Sequence, residues 1–86
     1  MSMLPSGHIA LVCNPLAGSG RARRITVRLQ DWLRERGLSH QVFTQAWPGE
    51  FSGFRAVWII GGDGTMNYFI NHYPRIGLPL ALFPGG

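Results

Sequence analysis

No lysine occurs in the 86 residues; all eight basic side chains are arginine, set against four acidic ones. That absence excludes two ways of gripping a nucleotide phosphate. The phosphate loop GxxxxGK needs its lysine to reach the β- and γ-phosphates, and a protein kinase needs the lysine of its third strand and a catalytic loop. Cysteine is nearly missing too. Cys13 stands alone, so no intrachain disulfide can form, which suits a reducing compartment. It has no adjacent base and no metal-ligand spacing, and reads as a buried bystander rather than a nucleophile. Long apolar runs are absent: none approaches the roughly 18 residues of a membrane span. The start "MSMLPSGHIA" lacks the basic segment and long apolar core of a signal peptide. The expected setting is cytoplasmic. Repeats and low-complexity tracts are also missing, and at 45% hydrophobic content the chain is expected to fold, as one small domain.

What is present is ordered by period. "HIALVC" (8–13) is a short apolar, β-branched run and reads as a buried strand. "NPLAGSG" follows as a glycine-bearing loop. Over about residues 20–36, Ile25, Leu29, Trp32 and Leu33 recur at helical spacing between arginines. Ser19 is placed to cap that helix and Gly37 to end it in a left-handed conformation. "SHQVFT" reads as a second strand and "RAVWII" as a third, apolar on both faces and so interior. "TMNYFINHY" reads as a second helix stopped by Pro74, with Met66, Phe69 and Ile70 in the core, and "LPLALF" as a fourth strand.

This order predicts an α/β fold with a parallel sheet of about four strands, Rossmann-like, in the spatial order 2-1-3-4. One joint is short. Only the ten residues "QAWPGEFSGF" link strands two and three, where a parallel crossover takes a dozen or more. Ten extended residues still reach about 33 Å, enough to retrace a strand of about 20 Å. Trp47, Phe51 and Phe54 are then expected to cover the sheet where a helix is lacking.

Open α/β sheets bind ligands at the carboxyl ends of their strands, where strand order reverses. Two glycine loops fall at such ends, Asn14–Gly20 and Gly61–Thr65. With strands one and three adjacent, they would face one crevice and offer glycine backbone and helix N-termini to a phosphate. The dinucleotide fingerprint GxGxxG is not met, since Arg23 stands where a third glycine is needed after Gly18 and Gly20. Asp63 decides the chemistry. A carboxylate in an anion-binding loop makes sense if a divalent metal lies between, or if it accepts a proton from an attacking hydroxyl. The plainer alternative is a tight strand-to-helix turn with Asp63 or Thr65 as a cap.

"GGDGTMN" resembles the signature of the diacylglycerol kinase catalytic domain, a family of bacterial lipid kinases and sphingosine kinases related to NAD kinases. "NPLAGSGRA" is similar to that family's first loop, and "LPLALFPGG" looks like the strand leading into its proline-glycine-threonine-glycine-asparagine-aspartate motif. The resemblance implies ATP-dependent phosphorylation of a diacylglycerol-like lipid hydroxyl, with magnesium. By position it places Asn14, Ser19, Gly20, Thr44, Gly62, Asp63, Gly64 and Thr65 at the nucleotide and Asp63 in catalysis, as base or through metal. No metal ligand is assigned.

Residues 1–86 would then be a partial nucleotide-binding domain, cut before a β-rich second domain and inactive by itself. Two departures stand out. Tyr68 replaces a frequent glutamate, and the linker between strands two and three lacks the usual helix. The expected partners are a nucleotide and a lipid at a membrane surface, at the inner face of which the protein would sit peripherally. Nucleic acid is not expected, despite five of the eight arginines falling within 21–34, because no recognition motif accompanies them. An NAD kinase-like enzyme and a non-catalytic phosphate-binding module stay open. Uncovered sheet surface also makes self-association an expectation.

Overall fold

The computed structural model describes residues 8–13, 20–44 and 46–84. The elements run β1 (His8–Cys13), α1 (Arg21–Glu35), β2 (His40–Phe43), β3 (Phe54–Gly61), α2 (Asp63–His72) and β4 (Leu80–Pro84). All three strand pairings are parallel, and the order is β2-β1-β3-β4, as the sequence predicts.

The two interior strands are the ones whose sequence is apolar on both faces. From β1, Ile9, Leu11 and Cys13 point to one side, into a core with Ala22 and Leu33 of α1. Ala10 and Val12 point to the other, into a core with Val57, Ile59, Phe51 and Phe69 of α2. Helices on opposite faces follow from topology. The β1-to-β2 and β3-to-β4 crossovers step in opposite directions across the sheet, and crossovers of one hand then lie on opposite sides. The β2-to-β3 connection steps the same way as β3-to-β4, so it belongs on the face of α2. Phe51 is buried there, with Trp47 and Phe54 packed against the same core. Its ring lies 5.0 Å from Tyr73 and 5.7 Å from Phe69. Tyr73 Oη also donates to the Pro48 carbonyl at 2.6 Å. Aromatic side chains thus do the covering, and no helix forms among the described residues of the connection.

The helices differ from expectation in detail. Buried α1 positions are Ala22, Thr26 and Leu33, whereas Trp32 is 43% exposed. Small Ala22 lets the helix approach the sheet, and Thr26 is tolerated inside because its hydroxyl donates to the Ala22 carbonyl at 2.8 Å. Gly20, in a left-handed conformation, is the N-cap; Ser19 lies outside the described residues. At the other end Gly37 has φ 68°, with Leu38 N–H donating to Leu33 O and Gly37 N–H to Arg34 O. These are the two bonds of a Schellman cap. α2 begins at Asp63, two residues before its apolar pattern. Phe69 is fully buried and Met66 half-buried, but Ile70 is 47% exposed. One residue beyond Phe69 is about 100° around the helix, which carries Ile70 off the narrow contact stripe. Among the described residues no helix is long and apolar enough to cross a membrane.

Candidate functional site

The register fixes what meets at the carboxyl rim. Cys13 pairs with Ile60, so β1 and the last turn of β3 end side by side. Phe43 pairs with Val12, which sets Thr44 at the same rim, exposed. Gly61 pairs with Pro84 on the far side. The strand order reverses between β1 and β3, the position where open sheets take ligands.

Gly61 is a glycine because nothing else fits. Its φ is 156°, and a Cβ there would fall 2.6 Å from Thr65 Oγ1 and 2.9 Å from Thr65 Cβ. The chain turns this tightly so that α2 starts at once. Gly62 is the extended N-cap, its carbonyl accepting from Thr65 N–H at 3.1 Å and Met66 N–H at 3.2 Å. Thr65 is 6% exposed and is folded back under the turn. Gly64 has open space where a Cβ would be.

Asp63 is exposed, in the first turn of α2, and no side-chain hydrogen bond caps this helix. The plain reading of GGDGT as a capped turn therefore loses its cap. What remains is a solvent-facing carboxylate at the positive end of a helix, where negative charge is favoured. Of the residues the sequence points to, Thr44, Gly62, Asp63, Gly64 and Thr65 follow directly from strands that end on this rim. Gly20 starts the helix that follows β1. Asn14 and Ser19 lie outside the described residues.

Cys13, at the end of β1, has its thiol pushed above the ordinary value of 9.0 by burial, with a hydrogen bond to Thr26 acting the other way. A reactive thiolate is the reverse of this. Among the described residues no group of three or more His, Cys, Asp or Glu side chains could hold a metal ion. A single carboxylate is still compatible with magnesium, which is held by one or two carboxylates together with substrate phosphates. His40 lies against the Leu38 carbonyl and His72 against Tyr68, with no ligand cluster. A cavity of about 490 Å³ opens elsewhere, between Glu50–Phe54 and His72–Ile76. It sits where β3 begins and α2 ends, the opposite end of the sheet from Asp63, so it is separate from this rim.

The Thr65–Gly61 contact and the half-buried pair Trp58–Phe83 (5.2 Å between ring centroids) are features that sequence reasoning does not reach. The first had a signal, two adjacent glycines before a β-branched residue. The second had none, since the two rings are far apart in the chain.

The profile of the diacylglycerol kinase catalytic domain matches residues 8–86. A comparison with curated proteins gives no significant match.

Proposed function

Because the chain belongs to the diacylglycerol kinase catalytic domain family, we propose that residues 1–86 form the ATP-binding part of a lipid kinase, one that transfers the ATP γ-phosphate to a diacylglycerol-like hydroxyl. The observation that carries this reading is the placement of an uncapped, exposed Asp63 on the carboxyl rim, one residue past the glycine turn that ends an interior strand.

The chain's own groups supply the binding. Gly62 and Gly64 leave the backbone open to close approach by phosphate oxygens, and the free N–H groups of the first turn of α2 point toward the anion. Thr44 closes the rim beside β1, and Gly20 starts the helix that follows β1; Asn14 and Ser19, outside the described residues, are assigned to the nucleotide by the family resemblance alone. Magnesium, when bound with ATP, would neutralise charge on the phosphates. Asp63 either receives that ion beside the phosphates or takes the proton of the attacking hydroxyl. The residues fit such a pair because one unencumbered carboxylate stands next to a backbone built for anions.

The test is transfer of labelled γ-phosphate to diacylglycerol in neutral detergent micelles by the full-length protein, with nucleotide binding measured in parallel. Asp63→Ala should abolish transfer. Transfer to NAD in place of lipid would reassign the chain to the NAD kinase-like reading. Nucleotide binding with no transfer to any acceptor would reassign it to a non-catalytic module.

A further inference from the structure

The formal charge of the chain is +4, and its distribution is lopsided. Residues 21–36 carry Arg21, Arg23, Arg24, Arg28, Arg34 and Arg36 against Asp31 and Glu35, which leaves +4 on this helix and its cap. Elsewhere Arg55 and Arg75 are balanced by Glu50 and Asp63. The whole net charge therefore resides on one element, and the rest of the chain is neutral.

Helix stability does not call for this arrangement. The first turn of α1 has no acidic residue and holds Arg21, Arg23 and Arg24, cations at the positive end of the macrodipole. One ion pair among the described residues relieves the excess, Arg34 Nη1 to Asp31 Oδ1 at 2.9 Å. Arg21, Arg24, Arg28 and Trp32 recur at three- and four-residue spacing and so share one side of the helix, where Glu35, at its last turn, offsets one of the three arginine charges. All four are exposed.

That side is continuous with aromatic surface. The Arg36 guanidinium lies 3.8 Å from the centre of the Trp32 ring. Trp32 in turn neighbours Trp58 at 6.3 Å, and Trp58 neighbours Phe83. Trp58 and Phe83 are half-buried, on the part of this sheet face that α1, packed over β1 and β3, leaves open.

We propose that this surface, the outer side of α1 with Trp32 and the neighbouring Trp58–Phe83 strip, is where the protein docks on an anionic lipid bilayer. Guanidinium groups match lipid phosphates, basic side chains near an anionic surface are worth about 1 kcal/mol each, and tryptophan settles at the headgroup level. A nucleic acid would satisfy the arginines alone; exposed Trp32 and the adjoining Trp58–Phe83 strip favour a surface with an apolar layer beneath its phosphates. The docking adds to the lipid-kinase reading by naming how the enzyme meets its substrate's membrane, and the two fail separately.

The experiment is flotation of the full-length protein, without ATP, with vesicles of phosphatidylcholine alone or mixed with phosphatidylglycerol. Binding is expected only to the mixed vesicles, and it should fall steeply as salt shortens the screening length below about 8 Å. The triple variant Arg24→Gln, Arg28→Gln, Arg36→Gln should lower partitioning about a hundredfold, with an unchanged circular dichroism spectrum and unchanged transfer in neutral micelles. In the unmodified protein, acyl-brominated lipids should quench tryptophan emission, and Trp32→Phe should lessen that quenching. Equal binding to neutral vesicles, indifference to salt, or quenching unaltered by Trp32→Phe overturns the docking surface. An oligonucleotide that displaces the protein from vesicles at physiological salt overturns it in favour of nucleic acid. Loss of transfer in Asp63→Ala with vesicle binding intact bears on the kinase reading alone.

Discussion

Gly61→Ala is the sharpest perturbation available at the rim. The added methyl would lie 2.6 Å from Thr65 Oγ1, 2.9 Å from its Cβ and 3.1 Å from its Cγ2. A rotation of Thr65 about χ1 could remove the first and third contacts but not the second, because Cβ is fixed by the backbone of α2. The first turn of the helix must therefore move away from β3. Overpacking of this kind costs about 1–3 kcal/mol, and a non-glycine residue held at a φ of 156° adds about 1–3 kcal/mol more. The total, roughly 2–6 kcal/mol, is a large share of the roughly 4–13 kcal/mol expected for a chain this long. At about 4–8 °C per kcal/mol, the melting temperature should drop by at least about 8 °C. Thermal and urea unfolding followed by circular dichroism read this directly. Gly49→Ala is the control, since a Cβ there meets nothing within 4 Å and its φ is not positive. In a Thr65→Ala background, Oγ1 and Cγ2 are gone, and the cost of Gly61→Ala should shrink by about 1 kcal/mol or more. A loss no larger than the control's, or one unaffected by Thr65→Ala, would refute the steric argument.

Gly64→Ala should do the reverse for stability: an open helical position gains about 0.4–1 kcal/mol. If phosphates approach that backbone closely, the same variant should nevertheless weaken ATP binding, measured by calorimetry; unchanged binding would remove Gly64 from the site. Tyr73→Phe deletes the 2.6 Å bond to Pro48 that ties the β2–β3 connection to the end of α2, and should cost about 1–2 kcal/mol in urea unfolding. Burial raises the Cys13 thiol above 9.0, so on raising the pH the unfolded chain loses its proton first. The stability this contributes is complete below about pH 9 and lost above it. Tyr73, raised mainly by burial and further by Tyr68, extends the trend above 10.0. Denaturation midpoints between about pH 8 and 10 should fall less in Cys13→Ala than in the unmodified protein.

The strand order was legible because β1 from Ile9 to Cys13 and β3 from Ala56 to Ile60 carry apolar residues at every position, and only interior parallel strands need that. The short connection was legible by its length, and its aromatics by the face they had to cover. The start of α2 was not, since Asp63 and Gly64 are poor interior helix residues. They are helical here because the Gly61 turn delivers the chain onto the face of the sheet already pointed along the helix axis. Trp32 and Ile70 misled for one reason: spacing identifies a helix face but not how wide a stripe the sheet will cover. For the rim, GGDGT revealed where the carboxylate lies. It could not reveal that Thr65 is tucked beneath Gly61, which leaves Asp63 and Gly64 as the residues that face outward.

Gly61 is bonded to Ile60, which is fully buried and paired to Cys13 at the centre of the sheet. A rim anchored this way has no hinge of its own. The amides of Val57 to Ile60 beneath it should exchange with deuterium slowly, because exposing them means opening the sheet, whereas the free amides of the first turn of α2 should exchange fast until a phosphate occupies them. Ligand captured there would then be felt along the entire chain, and saturation at a hundred times the dissociation constant would raise its unfolding free energy by about 2.7 kcal/mol.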